Sequence, residues 1–238
     1  MKKGVVIFGC LILALAFCIP AVAQPSSKAV ETIVIDDFDT PDSVDWKWSS
    51  QASRFVSEGY PIVKAFSGVP NSLKYLHPEV ENPQVLGCKV AFDRKGDNWV
   101  EIYPTNEDGS AHELDFVGTV TQIDFWVWGA NYPYRLEVLV RDADGRVITL
   151  NAGSLYFSGW KNIIINVPTY IRQHSTIRSG RENMSFVGFR VRSDATAAVD
   201  DYVIYFDQLK YTTNTLNYIY DGYELKNNDF GESGESGE

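Results

Sequence analysis

Thr121-Gln122-Ile123-Asp124-Phe125-Trp126-Val127-Trp128 alternates between two kinds of side chain over its whole length. Successive side chains of an extended strand point to opposite sides. Ile123, Phe125 and Val127 therefore share one face, and Gln122, Asp124, Trp126 and Trp128 share the other. Tyr134–Arg141 repeats the pattern, with Leu136, Val138 and Val140 set against Arg135, Glu137 and Arg141. Asp142-Ala143-Asp144-Gly145 then supplies a turn, because glycine tolerates the positive φ that tight hairpins need, and Arg146–Leu150 is the return strand.

Working outward, the rest of the chain is a series of short runs rich in Val, Ile, Tyr, Phe and Trp, punctuated by Gly, Asp, Asn and Pro. That composition predicts strands throughout. The further expected strands are Thr32–Phe38, Ser72–His77, Leu86–Asp93, Trp99–Tyr103, Trp160–Val167, Phe186–Arg192 and Tyr202–Tyr211. In Phe186–Arg192 the pattern turns Val187, Phe189 and Val191 inward, against Arg190 and Arg192. Tyr202–Tyr211 is apolar on both faces and is expected at the centre of a sheet. Pro168–His174 reads as one short helical turn. About ten strands with short connections predict an all-β fold: a single antiparallel β-sandwich of the jelly-roll, carbohydrate-binding-module-like kind.

The chain begins with Lys2-Lys3, an apolar run from Gly4 to Ile19, Pro20 and Ala21-Val22-Ala23. This is the layout of a secretory signal peptide over residues 1–23, and its apolar run is short for a membrane span. A rival is a lipoprotein signal in Leu15-Ala16-Phe17-Cys18, where Phe17 fits poorly. The sandwich domain is expected over residues 24–226. Residues 227–238 (Asn-Asn-Asp-Phe-Gly-Glu-Ser-Gly-Glu-Ser-Gly-Glu) are expected to form a disordered acidic tail, since so few apolar groups cannot offset the entropy of ordering. Losing Lys2 and Lys3 takes the formal net charge from −10 to −12. That charge argues against nucleic acid and anionic membrane surfaces as partners. Cys10 and Cys18 leave with the signal, so Cys88 is the lone cysteine of the mature chain and is expected as a small buried hydrophobe.

No catalytic constellation is visible. His77, His112 and His174 are far apart and lack metal-ligand spacing, and no Gly-x-Ser-x-Gly elbow or phosphate-binding glycine loop occurs. No cofactor is expected. Asp36-Asp37-Phe38-Asp39, with Asp207 in the last strand, offers oxygen ligands for a structural calcium ion, against the plainer reading of an acidic strand end. Aromatic residues give the second signal. Trp46 and Trp48 alternate in Asp45-Trp46-Lys47-Trp48, and Trp126 and Trp128 stand on the polar face of their strand. Tyr132 and Tyr134 extend that edge. Exposed aromatics of this kind suit a protein interface or sugar stacking.

Ile123-Asp124-Phe125-Trp126-Val127-Trp128-Gly129-Ala130-Asn131-Tyr132-Pro133-Tyr134, followed by Leu136–Asp142, resembles the spirochaetal flagellar filament outer-layer (sheath) proteins, the FlaA family. Gly159-Trp160-Lys161-Asn162, Phe189-Arg190-Val191, Tyr205-Phe206-Asp207-Gln208-Leu209 and the opening Asp36-Asp37-Phe38 extend the likeness over residues 31–211. The resemblance implies a non-enzymatic structural subunit in the periplasm, on the periplasmic flagellum. Such a subunit coats a flagellin core beside other sheath proteins, self-associates, and tunes filament stiffness and curvature for motility. It brings no catalytic residues, so Trp126, Trp128, Tyr132 and Tyr134 are carried forward as contact candidates on the aromatic pattern alone. The alternative is a secreted glycan-binding jelly-roll module with Trp126 and Trp128 as its platform.

Overall fold

The computed structural model of the protein describes residues 30–40, 44–175, 183–215 and 225. The expected signal peptide and acidic tail lie outside the described residues. Among these residues twelve strands and one short helix follow in the order β1 (Val30–Asp36), β2 (Lys47–Ala52), β3 (Ile62–Ser67), α1 (Asn71–Leu76), β4 (Gln84–Val90), β5 (Trp99–Thr105), β6 (Leu114–Asp115), β7 (Thr119–Ala130), β8 (Arg135–Arg141), β9 (Val147–Ser154), β10 (Ser158–Asn166), β11 (Ser185–Arg192) and β12 (Tyr202–Asn214). They build two antiparallel sheets. The first runs β10-β7-β12-β4-β3 with β1 beside β12, and the second runs β2-β5-β11-β8-β9 with β6 beside β11. Most neighbours are distant in sequence, so the chain crosses repeatedly between sheets, as a jelly roll requires.

The alternation of β7 appears in the fold as the sequence predicts. Ile123, Phe125 and Val127 are fully buried, and so are Leu136, Val138 and Val140 of β8. Phe125 and Phe206 from the first sheet meet Phe189 from the second, against which Phe186 of the same strand packs. Phe189 stacks on Phe206 with centroids 4.3 Å apart, and Phe125 meets Phe189 edge-on at 5.0 Å. Burying each such ring contributes roughly 1.5–3 kcal/mol. β12 sits centrally, with β7 on one side and β4 then β1 on the other. The turn of the β8–β9 hairpin forms where expected, its backbone drawn in as Asp142 Oδ1 accepts from the amides of Asp144 and Arg146.

Three expectations need correction. Ser72–His77 is not a strand; Asn71–Leu76 forms helix α1, with Pro70 at its N-cap and only Leu73 buried. Short apolar runs do not distinguish the two states by pattern. Pro168–His174 contains a turn at Thr169–Tyr170 and a bridge at His174 rather than a helix. Val187 does not face inward. A register shift between Phe186 and Gly188 buries both Phe186 and Phe189 completely and leaves Val187 outward. One extra residue reverses the phase of a period-two pattern.

Candidate functional site

The outer face of the first sheet carries the aromatic residues picked out in β7, and strand register adds others. Trp128 is paired with Trp160 of β10 on one side and with Tyr205 of β12 on the other. All three are half-buried and point away from the core. Tyr205 is in turn paired with Gly87 of β4. A Cβ on Gly87 would lie 2.7 Å from the Phe66 ring and 2.8 Å from Tyr205. Its absence lets Phe66 of β3, 46% exposed, reach over and meet Tyr205 edge-on at 5.7 Å. Trp128 meets Tyr205 edge-on at 5.5 Å. The result is an aromatic stripe crossing the sheet from β10 to β3. Trp126 stands one rung away, between Asn162 and Asp207.

Polar groups border the stripe. Asn162 Nδ2 donates to Asp124 Oδ1 at 2.6 Å, and Lys210 Nζ lies 3.7 Å from Asp124. On the opposite border Lys89 pairs with Asp201. Trp160, Tyr205 and Phe66 were not among the contact candidates, because no single strand shows the register that aligns them. The cue available was a Trp or Tyr on the solvent side of each alternating strand.

Tyr134 has to be removed from the contact set. It is 1% exposed, its hydroxyl donates to Ala198 O at 2.7 Å, and burial pushes its phenol pKa upward. Tyr132 packs against Tyr134 and Tyr202 and donates to Asp200 O at 2.9 Å. Asn131, with φ of 62°, turns the chain after β7, so the next residues fold inward instead of prolonging the aromatic edge. Together the tyrosines fasten the loop before β12 to the start of β8. Trp46 and Trp48 are not an exposed pair either. Trp46 is buried against His112, and Trp48 lies against Phe38, Phe186 and Phe189 while its indole N–H donates to Asp36 Oδ2 at 2.8 Å.

The acidic residues considered as calcium ligands divide between two places. Asp36 holds Trp48 and the Phe38 amide and lines a cavity with Trp46 and Lys64. Asp37, Asp39 and Asp207 line a different cavity of about 370 Å³ with His77 and Lys74. Asp37 accepts from the Asp39 amide and Asp39 accepts from the Gln84 amide. Asp207 is 4% exposed, and burial, then the neighbouring Asp39, push its pKa up to about 8. Among the described residues no three His, Cys, Asp or Glu side chains are arranged to hold a metal ion. The buried Cys88 thiol is pushed up to about 12 by desolvation, which leaves it without thiolate reactivity at neutral pH.

The family match and the curated relatives point to one family. The family described as "Flagellar filament outer layer protein Flaa" matches residues 27–219. A Brachyspira hyodysenteriae protein described as flagellar filament outer layer-like is 28% identical over 193 residues, covering 79% of this chain and 81% of that one. The flagellar filament outer layer protein of Treponema pallidum is 36% identical over 102 residues, covering 40% of this chain and 29% of that one. Among solved structures, the family 11 carbohydrate-binding module of a Clostridium thermocellum cellulase aligns with a TM-score of 0.39 at 14% identity, over 77% of this chain and 95% of that one. With the family matched from the residues before β1 to those beyond β12, the chain belongs to the FlaA family of flagellar filament outer layer proteins.

Proposed function

We propose that the protein is a structural subunit of the outer layer of the spirochaetal periplasmic flagellar filament. It coats the flagellin core, associates with other copies and sheath proteins, and sets filament stiffness and curvature. The observation that carries this reading is the family match over residues 27–219, which takes in the whole two-sheet body. The fold supports it physically. Two sheets locked through Phe125, Phe189 and Phe206 make a stiff block, and stiffness is what a coat subunit adds to a filament.

The reading needs no enzyme activity, cofactor or bound calcium. It places the protein in the periplasm after export through the signal of residues 1–23, and the described residues include no helix long and apolar enough to cross a membrane. Fractionation tests the proposal. Flagellar filaments sheared and purified from cells should carry the protein in a fixed ratio to the core subunit. Recovery only in the soluble extract would overturn it.

A further inference from the structure

The size of the aromatic stripe decides which kind of partner fits it. Adjacent strands lie about 4.8 Å apart, so the stripe from Trp160 to Phe66 crosses four intervals and runs roughly 19 Å. With Trp126 and Phe66 each one rung off the line it is two rungs wide, or about 14 Å along the strands. Its area is on the order of 270 Å², against roughly 800 Å² per partner in a standard protein–protein interface. A second protein would have to extend far onto the bordering Asn162, Asp124, Lys210, Lys89 and Asp201. Those groups are already paired with one another, which leaves them few bonds to offer a second protein. A narrow linear chain can stay on the rings.

The polar atoms point to the same chemistry. Among the described residues, the indole N–H groups of Trp126, Trp128 and Trp160 and the phenol of Tyr205 make no hydrogen bond within the protein. They stand on the outer face as donors beside flat apolar surfaces. An aromatic side chain with an apolar body and a polar tip meets a ligand that is apolar on one face and hydroxylated at its rim. The border charges pair as Lys89–Asp201 and Lys210–Asp124, and the exposed Lys64 at the β3 end is the one cation of that rung with no ion pair among the described residues.

We propose that the outer face of the first sheet binds a neutral, linear oligosaccharide. Successive sugar rings pack on Trp160, Trp128 and the Tyr205–Phe66 pair. Their hydroxyls bond to the indole N–H groups and to Tyr205. This binding activity is additional to the outer-layer role and does not depend on it.

Titration of the folded chain with cellotetraose, galactotriose and mannotetraose, followed by tryptophan fluorescence and calorimetry, tests the assignment. At least one probe should give a saturable response. Trp160→Ala and Trp128→Ala should each weaken it by about tenfold or more, with the far-ultraviolet circular dichroism unchanged. Tyr205→Phe, which keeps the ring and removes the hydroxyl, should weaken it less. A flat response to all three sugars overturns the proposal. So does a response that both tryptophan variants retain. Sedimentation of the same samples supplies the competing outcome: self-association that the tryptophan variants abolish would make the stripe an interface between copies and overturn the carbohydrate assignment.

Discussion

On the outer face of the second sheet one rung runs Gln51, Glu101, Arg190, Glu137; on the first, the corresponding kind of rung runs Trp160, Trp128, Tyr205. Arg190 Nε donates to Glu101 Oε1 at 2.7 Å, Gln51 Nε2 donates to Glu101 Oε2 at 2.6 Å, and Glu137 lies 3.7 Å from the guanidinium. Nearby, Arg141 reaches Glu113 at 2.7 Å. Apart from Glu137 Oε2, which is buried without a hydrogen bond, these groups pair with one another across the sheet. On the first sheet, rings and unpaired donors face solvent side by side. Aromatic rings with free polar tips are the side chains that carry much of the energy of binding sites. Two faces with the same strand geometry therefore do opposite work: one closes the molecule, and the other leaves it available for contact.

The predictions that probe this contrast run from large effects to small. Phe189→Ala removes the ring that joins both sheets, so it should cost about 3–5 kcal/mol in urea denaturation and disturb both faces. A loss under about 1 kcal/mol would mean the sheets are not coupled through this ring.

Asp207 comes next. Its folded-state pKa of about 8 lies well above the usual carboxylate value. Between about pH 4 and pH 8 the folded protein keeps a proton that the unfolded chain has lost, so stability declines as pH rises through that window. The loss should be on the order of 2–3 kcal/mol between pH 5 and pH 8, and Asp207→Asn should flatten the slope. Burial also raises Asp36 and Asp39, which adds slope of the same sign. Denaturation curves collected across pH settle the matter, and an unchanged slope in the variant would contradict the assignment.

Arg190→Met leaves Glu101 and Glu137, on the strands either side of it, without their shared cation and should cost about 1–2 kcal/mol. It should leave tryptophan emission from the first sheet unaltered. Trp160→Ala and Trp128→Ala should change stability least, by under about 1 kcal/mol, since half-exposed surface residues contribute little to folding. Their effect should fall on binding. Large destabilisation by either would show that the stripe is structural after all.

Much of the fold is legible from local pattern, and the failures have physical causes. Ile123, Phe125 and Val127 reveal their common face because nothing interrupts the alternation of β7. Val187 misleads because a bulge adds one residue and reverses the phase. Tyr134 misleads because Asn131 turns the backbone to positive φ, after which the alternation of β7 no longer governs direction. The contact face is only half legible. Trp126 and Trp128 stand out within one strand, but Trp160, Tyr205 and Phe66 join them only through register between residues far apart in sequence. Gly87, whose missing side chain lets two of the rings meet, looks from sequence alone like any strand glycine.

Electron cryo-microscopy of flagellar filaments isolated with and without this protein tests the central claim most directly. The account predicts an outer density into which the two-sheet sandwich fits, absent from filaments that lack the protein and accompanied by altered curvature. Identical filaments, with no density lost and no change in shape, would contradict it.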